Sequence, residues 1–122
     1  MRPFQELVVW QKSHQLTLSI YEMTKSFPRA EMYGLTSQLR RAAASIPMNI
    51  AEGSARGTGK EFAQSLSIAL GSAAEVEYQL LLARDLEYLD AASHPQLESQ
   101  LAEVKKMLVT LRRRVVEQVT KS

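Results

Sequence analysis

An all-α fold, an antiparallel up-and-down four-helix bundle, is predicted by three features of the sequence. Four long segments space apolar residues three and four apart, which is the helical period. The breaks between them are short and carry Gly, Pro, Asp or Ser, so successive helices should lie as antiparallel neighbours. No stretch of useful length alternates apolar and polar residues as a strand would. With 122 residues the chain can build one core but not two. A single domain spanning 1–122 is therefore expected, with helices at about 4–25, 35–56, 59–90 and 94–120.

The first helix places Val9, Leu16, Ile20 and Met23 on one apolar stripe, with Ser13 in a gap, and Leu7, Trp10, His14, Thr17 and Tyr21 on a neighbouring one. The combined face is wider than one packing seam requires. Covering it takes two neighbouring helices or a second subunit. His14 has no second ligand in register and no acidic or glycine-rich setting, which leaves it neither a metal ligand nor a phosphoryl acceptor. Phe27 and Pro28 end the helix, because the residue before a proline is pushed out of the α region.

The second helix, in the run GLTSQLRRAAASIPMNIAEGSAR, carries Leu35, Leu39, Ala42, Ile46, Ile50 and Gly53 toward a core. About a quarter-turn away lies a polar stripe of Arg41, Ser45, Asn49, Glu52 and Arg56. Pro47 interrupts both, removing a backbone donor at a cost of about 3 kcal/mol or more. One reading restarts the helix at Pro47, but that puts Ile46 at the N-cap, where it cannot accept an orphan N–H bond. The preferred reading is a continuous helix kinked at Pro47, with the Ala43 carbonyl deprived of its partner. Ser45 and Asn49 could satisfy that carbonyl, and Glu52 four residues before Arg56 fits a surface ion pair. Functionally, Arg41, Asn49, Glu52 and Arg56 could instead line a pocket or subunit contact. Arg40 and Arg41 point about 100° apart, so at most one belongs to the stripe and the other is free for solvent or phosphate.

Gly57, Thr58 and Gly59 make the next break, and Thr58 with Glu61 fits a capping box. The GTGK run lacks the glycine spacing, the following Ser or Thr and the preceding strand of a phosphate loop. The third helix carries Phe62, Leu66, Ala69, Ala73, Val76, Leu80 and Ala83, a repeat that favours nearly parallel packing. Gly71 in its interior costs about 1 kcal/mol relative to Ala. Another backbone should come close there, Gly53 being the natural candidate and Trp10 or Tyr21 alternatives. Ser93 with Gln96 again fits a capping box, and Pro95 is tolerated in the first turn. The fourth helix aligns Leu97, Leu101, Val104, Leu108, Leu111, Val115 and Val119, with Val109 and Val116 lying off the seam.

These residues also carry a family resemblance. The run YGLTSQLRRAAASIPMNIAEGSARGTGKEF, with FP before it and GSAAEVE after it, strongly resembles the four-helix-bundle family typified by proteins encoded in intervening sequences of bacterial 23S ribosomal RNA genes. The accessory protein of diversity-generating retroelements belongs to the same broad group. The likeness runs from LVVWQKSHQL to the last helix, and SIPMNIAEG is its most specific part; Ser13 and Ala44 stand where alanine and valine are more usual. It implies an antiparallel four-helix bundle assembled as a homopentamer, with a role in binding nucleic acid.

Chemistry is sparse. There is no cysteine, which excludes disulfides and thiolate chemistry. No Glu-x-x-His pair, nucleophile elbow or facing carboxylate pair is present, so neither an enzyme nor a cofactor or metal site is expected. MRPFQELVVW has no apolar signal region and no segment is long enough to span a membrane, so a cytoplasmic address is expected. Net charge is only +2. Its distribution is uneven: residues 60–90 set Lys60 and Arg84 against six carboxylates, whereas residues 91–122 set six cations against Glu98, Glu103 and Glu117. Either an acidic helix lies beside a basic one, or part of the basic surface meets phosphate.

Two functions follow. The first is an oligomeric scaffold that binds structured RNA or DNA through Arg40, Arg41, Arg56, Lys60, Lys105, Lys106, Arg112, Arg113 and Arg114; against it count the low net charge and the lack of exposed aromatic interleaving of the kind that grips single strands. The alternative is a protein-interaction adaptor, docking on an enzyme such as a reverse transcriptase without touching nucleic acid.

Overall fold

A computed structural model of the chain describes residues 3–121. Four α-helices account for most of them: α1 (Val8–Thr24), α2 (Leu35–Ala55), α3 (Gly59–Asp85) and α4 (Ser93–Lys121). Each packs against its neighbours in sequence, and α1 closes on α4 while the diagonal pairs stay apart, as in an up-and-down bundle. Cross-helix contacts fix the directions. Thr17 and Thr24 of α1 meet Ala43 and Arg40 of α2, and Ser45 and Gly53 of α2 meet Ser72 and Ser65 of α3. Glu77 and Ser67 of α3 meet Lys105 and Arg112 of α4. In each pair one number rises as the other falls, so neighbours are antiparallel.

The apolar stripes read from the sequence face one core. Val9, Leu16 and Ile20, then Leu35, Leu39, Ala42, Ile46 and Ile50, are buried in it, together with Leu66, Ala69, Ala73, Val76, Leu80 and Ala83. The seam of α4 contributes Leu97, Leu101, Val104, Leu108 and Val115, with Leu111 partly buried, but Val119 near its end is exposed. Ser13 fills its gap with no exposed surface, its hydroxyl donating to the Trp10 carbonyl at 3.0 Å.

Several boundaries differ from those expected. The first helix does not begin at Phe4: Phe4–Glu6 form a 3-10 turn, Leu7 is extended, and α1 starts at Val8. Phe4 reaches back to Trp10, ring centroids 5.1 Å apart, so its apolar spacing reflects packing of a turn and not a helix. The third helix ends at Asp85, five residues early. Glu87 adopts φ 63° and the Tyr88 N–H bonds the Ala83 carbonyl at 2.9 Å, a Schellman-type stop made without glycine. Nor is Ser93 the cap of the last helix. The Asp90 carboxylate accepts the N–H groups of Ala92 and Ser93 at 3.1 and 2.8 Å, and bonds to Ser93 hold its pKa below the usual range.

The α2–α3 turn conforms to expectation. Thr58 Oγ1 accepts the Glu61 N–H at 3.2 Å, and Gly57 takes φ 90°. At the opposite end of the bundle Glu31 joins two connections: one carboxylate oxygen accepts the Leu35 N–H at 3.1 Å, the other the Tyr88 hydroxyl at 2.9 Å. Those two bonds lower the Glu31 pKa, and the same carboxylate raises that of Tyr88.

Helix α2 runs unbroken through Pro47, which is buried. The carbonyl that Pro47 cannot serve is that of Ala43, and it is met from α1. The Thr17 hydroxyl shares its hydrogen between Ser13 O at 2.9 Å and Ala43 O at 3.1 Å, both contacts buried. Ser45 and Asn49, the candidates from sequence, do not supply that bond. The expected approach of Gly53 to Gly71 is also absent. A Cβ at Gly53 would lie 2.4 Å from Ser65 Cβ, so the close contact is with Ser65 on α3, whereas one at Gly71 would meet nothing within 4 Å.

Candidate functional site

The polar stripe of α2 divides into two parts. Ser45 Oγ lies 2.7 Å from Ser72 Oγ of α3, and Asn49 Nδ2 donates to Ser45 O at 2.8 Å and Ser45 Oγ at 3.0 Å. This half-buried network stitches α2 to α3. One turn further, Arg56 reaches the Glu52 carboxylate at 2.9 Å and the Glu61 carboxylate at 3.7 Å, all on the surface. Its hydrogen bond to Glu52 is the main cause of a raised pKa. Arg41 and Ser45 border one shallow recess with Ser72, Glu75 and Gln79; Glu52 and Arg56 border another with Glu61 and Ile68. The stripe therefore forms no single pocket.

The basic candidates sort by partner. Arg40 lies off the stripe, yet it is not free. Its Nε donates to Thr24 Oγ1 at 2.8 Å, it reaches the Tyr21 carbonyl at 3.3 Å, and its guanidinium sits 4.8 Å from the Tyr21 ring centroid. A cation placed there complements the carbonyl end of α1. Lys105 pairs with Glu77 of α3 at 2.8 Å, the neighbouring acidic and basic helices anticipated from composition. Arg112 Nε donates to Ser67 Oγ at 2.6 Å and keeps its charge uncompensated.

Arg41, Lys60, Lys106, Arg113 and Arg114 are exposed, and among the described residues none has a carboxylate within ion-pair distance. On α4 the bonds of Lys105 and Arg112 mark the side toward α3. One residue on, about 100° round, Lys106 and Arg113 point outward, and Arg114 turns toward α1. Val109 and Val116, 49% and 37% exposed, fall by helical spacing between the α3-facing Lys105 and Arg112 and the outward Lys106 and Arg113. Lys60 starts α3 at the same end of the bundle, where Gly59 faces Val119.

A family model described as 23S rRNA-intervening sequence protein matches residues 5–110. The chain belongs to that family. The resemblance read from SIPMNIAEG is thereby borne out. A solved structure of a protein of unknown function from the S23 ribosomal protein family, from Bacteroides thetaiotaomicron, is similar at 26% identity, with a TM-score of 0.80 over 87% of this chain and 96% of that one. No curated protein matches the chain. The family match ends ahead of Arg112, Arg113 and Arg114.

Among the described residues there is no group of three or more His, Cys, Asp or Glu placed to hold a metal, and no helix is long and apolar enough to cross a membrane. Two features escaped sequence reading: the pairing of Thr17 with Ala43 O, and an aromatic stack of Phe4, Trp10 and His14. The four-residue spacing of Trp10 and His14 was the available signal for the second.

Proposed function

We propose that this 23S rRNA-intervening sequence protein is a non-enzymatic, cytoplasmic scaffold, assembling as a homopentamer and binding structured RNA through the outer face of α4. The observation that carries the reading is the exposed set Lys106, Arg113 and Arg114, with Lys60 alongside, none of which has a carboxylate within ion-pair distance among the described residues. Cations left unpaired against a low net charge form a local field that favours phosphate. Assembly is supported by the exposed Val109, Val116, Ile68 and Tyr78, and by Gly71, which meets nothing within its own chain. In this reading the bend expected at Pro47 sets the register in which Ser45 meets Ser72.

The test combines light scattering with RNA mobility shifts at graded salt. Wild type should run near five times its 13.7 kDa chain mass and bind a hairpin RNA with affinity that falls steeply as salt rises. Replacing Arg112, Arg113 and Arg114 together by Ala should weaken binding by at least roughly tenfold and flatten the salt slope by about one for each phosphate no longer neutralised. Unchanged affinity in that variant rules out the α4 face, and a monomer rules out the assembly. Val109 and Val116, exposed among the cations, favour the adaptor as second reading. It predicts no RNA retention at any salt and capture of a protein partner that Val109→Asp abolishes.

A further inference from the structure

Against the expectation that exposed aromatic interleaving is lacking, the outer side of the α1–α2 seam carries a strip of aromatic rings that the α4 face does not involve. Trp10 and His14, one turn apart on α1, stack with ring centroids 4.9 Å apart and planes inclined by only 10°. Phe4 holds the indole edge-on from the preceding turn. Trp10 is partly buried, His14 is exposed, and His14 has no other partner among the described residues. The imidazole is thus an exposed ring supported on one side only. Tyr21, seven residues further and so on nearly the same helix face, is 43% exposed and carries the Arg40 guanidinium against its ring.

Two charged groups bracket this strip: Glu6, on the turn that holds Phe4 against Trp10, at one end, and Arg40 beside Tyr21 at the other. The bonds Thr17 to Ala43 and Arg40 to Thr24 show which side of α1 turns to α2. By helical spacing Glu22 lies well round from that side, and Glu52 sits on the opposite flank of α2, paired with Arg56. The two helices therefore set a cation, Arg40, beside the rings and no carboxylate. Flat rings with an adjacent guanidinium are the elements that hold unpaired bases, because every base has a π-face and every linkage a negative charge. His14 and Tyr21 are separated by about 10 Å along the helix axis, roughly three base-stacking steps of about 3.4 Å.

We propose that this flank is a stacking platform for single-stranded nucleic acid, with bases on the His14–Trp10 stack and on Tyr21 and a phosphate near Arg40. It extends the proposed function from a face that holds structured RNA by its phosphates to a second face that holds an unpaired stretch, and it stands without the first.

Trp10 is the chain's only tryptophan, so its emission reports on this site alone. Titrating the full chain with a short oligoadenylate at low salt should quench Trp10 saturably, whereas a blunt RNA duplex should not. His14→Ala should weaken the apparent affinity about tenfold and Tyr21→Ala several-fold, with His14→Tyr restoring it. Both side chains are exposed, and circular dichroism checks that the variants stay folded. An emission that oligoadenylate leaves unchanged overturns the proposal. So does equal affinity in His14→Ala and Tyr21→Ala, or quenching by a proline-rich peptide but not by the oligonucleotide. A wild-type chain that fails to shift hairpin RNA yet shows the quench overturns the α4 reading alone; hairpin binding with a silent Trp10 overturns this one alone.

Discussion

The two flanks of α2 use the same kind of chemistry under different constraint. Toward α1, a threonine hydroxyl meets a backbone carbonyl that Pro47 has left without its helical donor, in a buried setting. Toward α3, two serine hydroxyls and an asparagine amide meet one another, half-buried. The first contact answers a requirement, since a buried backbone acceptor without a partner is costly wherever it occurs. The second involves Ser45 and Asn49, half-buried at the seam's edge, and Ser72, which is buried but can turn its hydroxyl to its own helix backbone. What holds α2 to α3 is instead steric: Gly53 lets the two helices approach until no Cβ fits between them. Hydrogen bonding is obligatory on one side of this helix and optional on the other.

The largest effect should come from the steric contact. Gly53→Val places a branched side chain where even a Cβ would lie 2.4 Å from Ser65 Cβ, with Phe62 3.1 Å away. Neither helix can yield locally, so a loss of about 3 kcal/mol is expected in urea denaturation. A cost below about 1 kcal/mol would mean that the α2–α3 seam is looser than the geometry shows. Next comes Thr17→Val, which keeps shape and removes the hydroxyl. Leaving the Ala43 carbonyl unpaired should cost about 1–2 kcal/mol, whereas Thr17→Ser should retain most of the bond. A loss in Thr17→Ser as large as that in Thr17→Val would give the methyl group as much weight as the hydroxyl and erase the contrast between the flanks.

How legible this was follows from the same distinction. The inward stripes could be read because each depends on one helix's own period, and Leu39, Ile46, Ile50, Leu66 and Leu108 are all fully buried. Helix ends were less legible where the stop uses an unmarked residue: nothing about Glu87 announces a φ of 63°. Leu86 and Leu89 continue the apolar rhythm past the true end of α3, and Asp90 caps from ahead of where Ser93 suggested. Candidate-site residues could be named but not sorted. Whether Arg40 or Arg41 is free depends on Thr24 and Tyr21, sixteen and nineteen residues from Arg40, and periodicity within one helix carries no information about them. A helical glycine has a cost, which suggested a close approach at Gly71, yet a Cβ there would meet nothing within 4 Å.

The smallest expected effect is the most informative about the comparison. Ser45 and Ser72 share one hydroxyl–hydroxyl bond at 2.7 Å, and Asn49 can still donate to the Ser45 carbonyl when the hydroxyl is gone. Ser72 is buried, but in Ser45→Ala its hydroxyl can turn to the carbonyl four residues back in its own helix, and alanine is the better helix former by a few tenths of a kcal/mol. Each single variant should therefore lie within about 0.5 kcal/mol of wild type, and a double-mutant cycle with Ser72→Ala should return a coupling of no more than about 1 kcal/mol. A coupling well above that, measured by denaturation at matched protein concentration, would show that the serine pair is as obligatory as the Thr17 bond. In that case the recess bordered by Arg41, Ser45 and Gln79 is closed to water in the folded chain, and burial does not distinguish the two sides of α2.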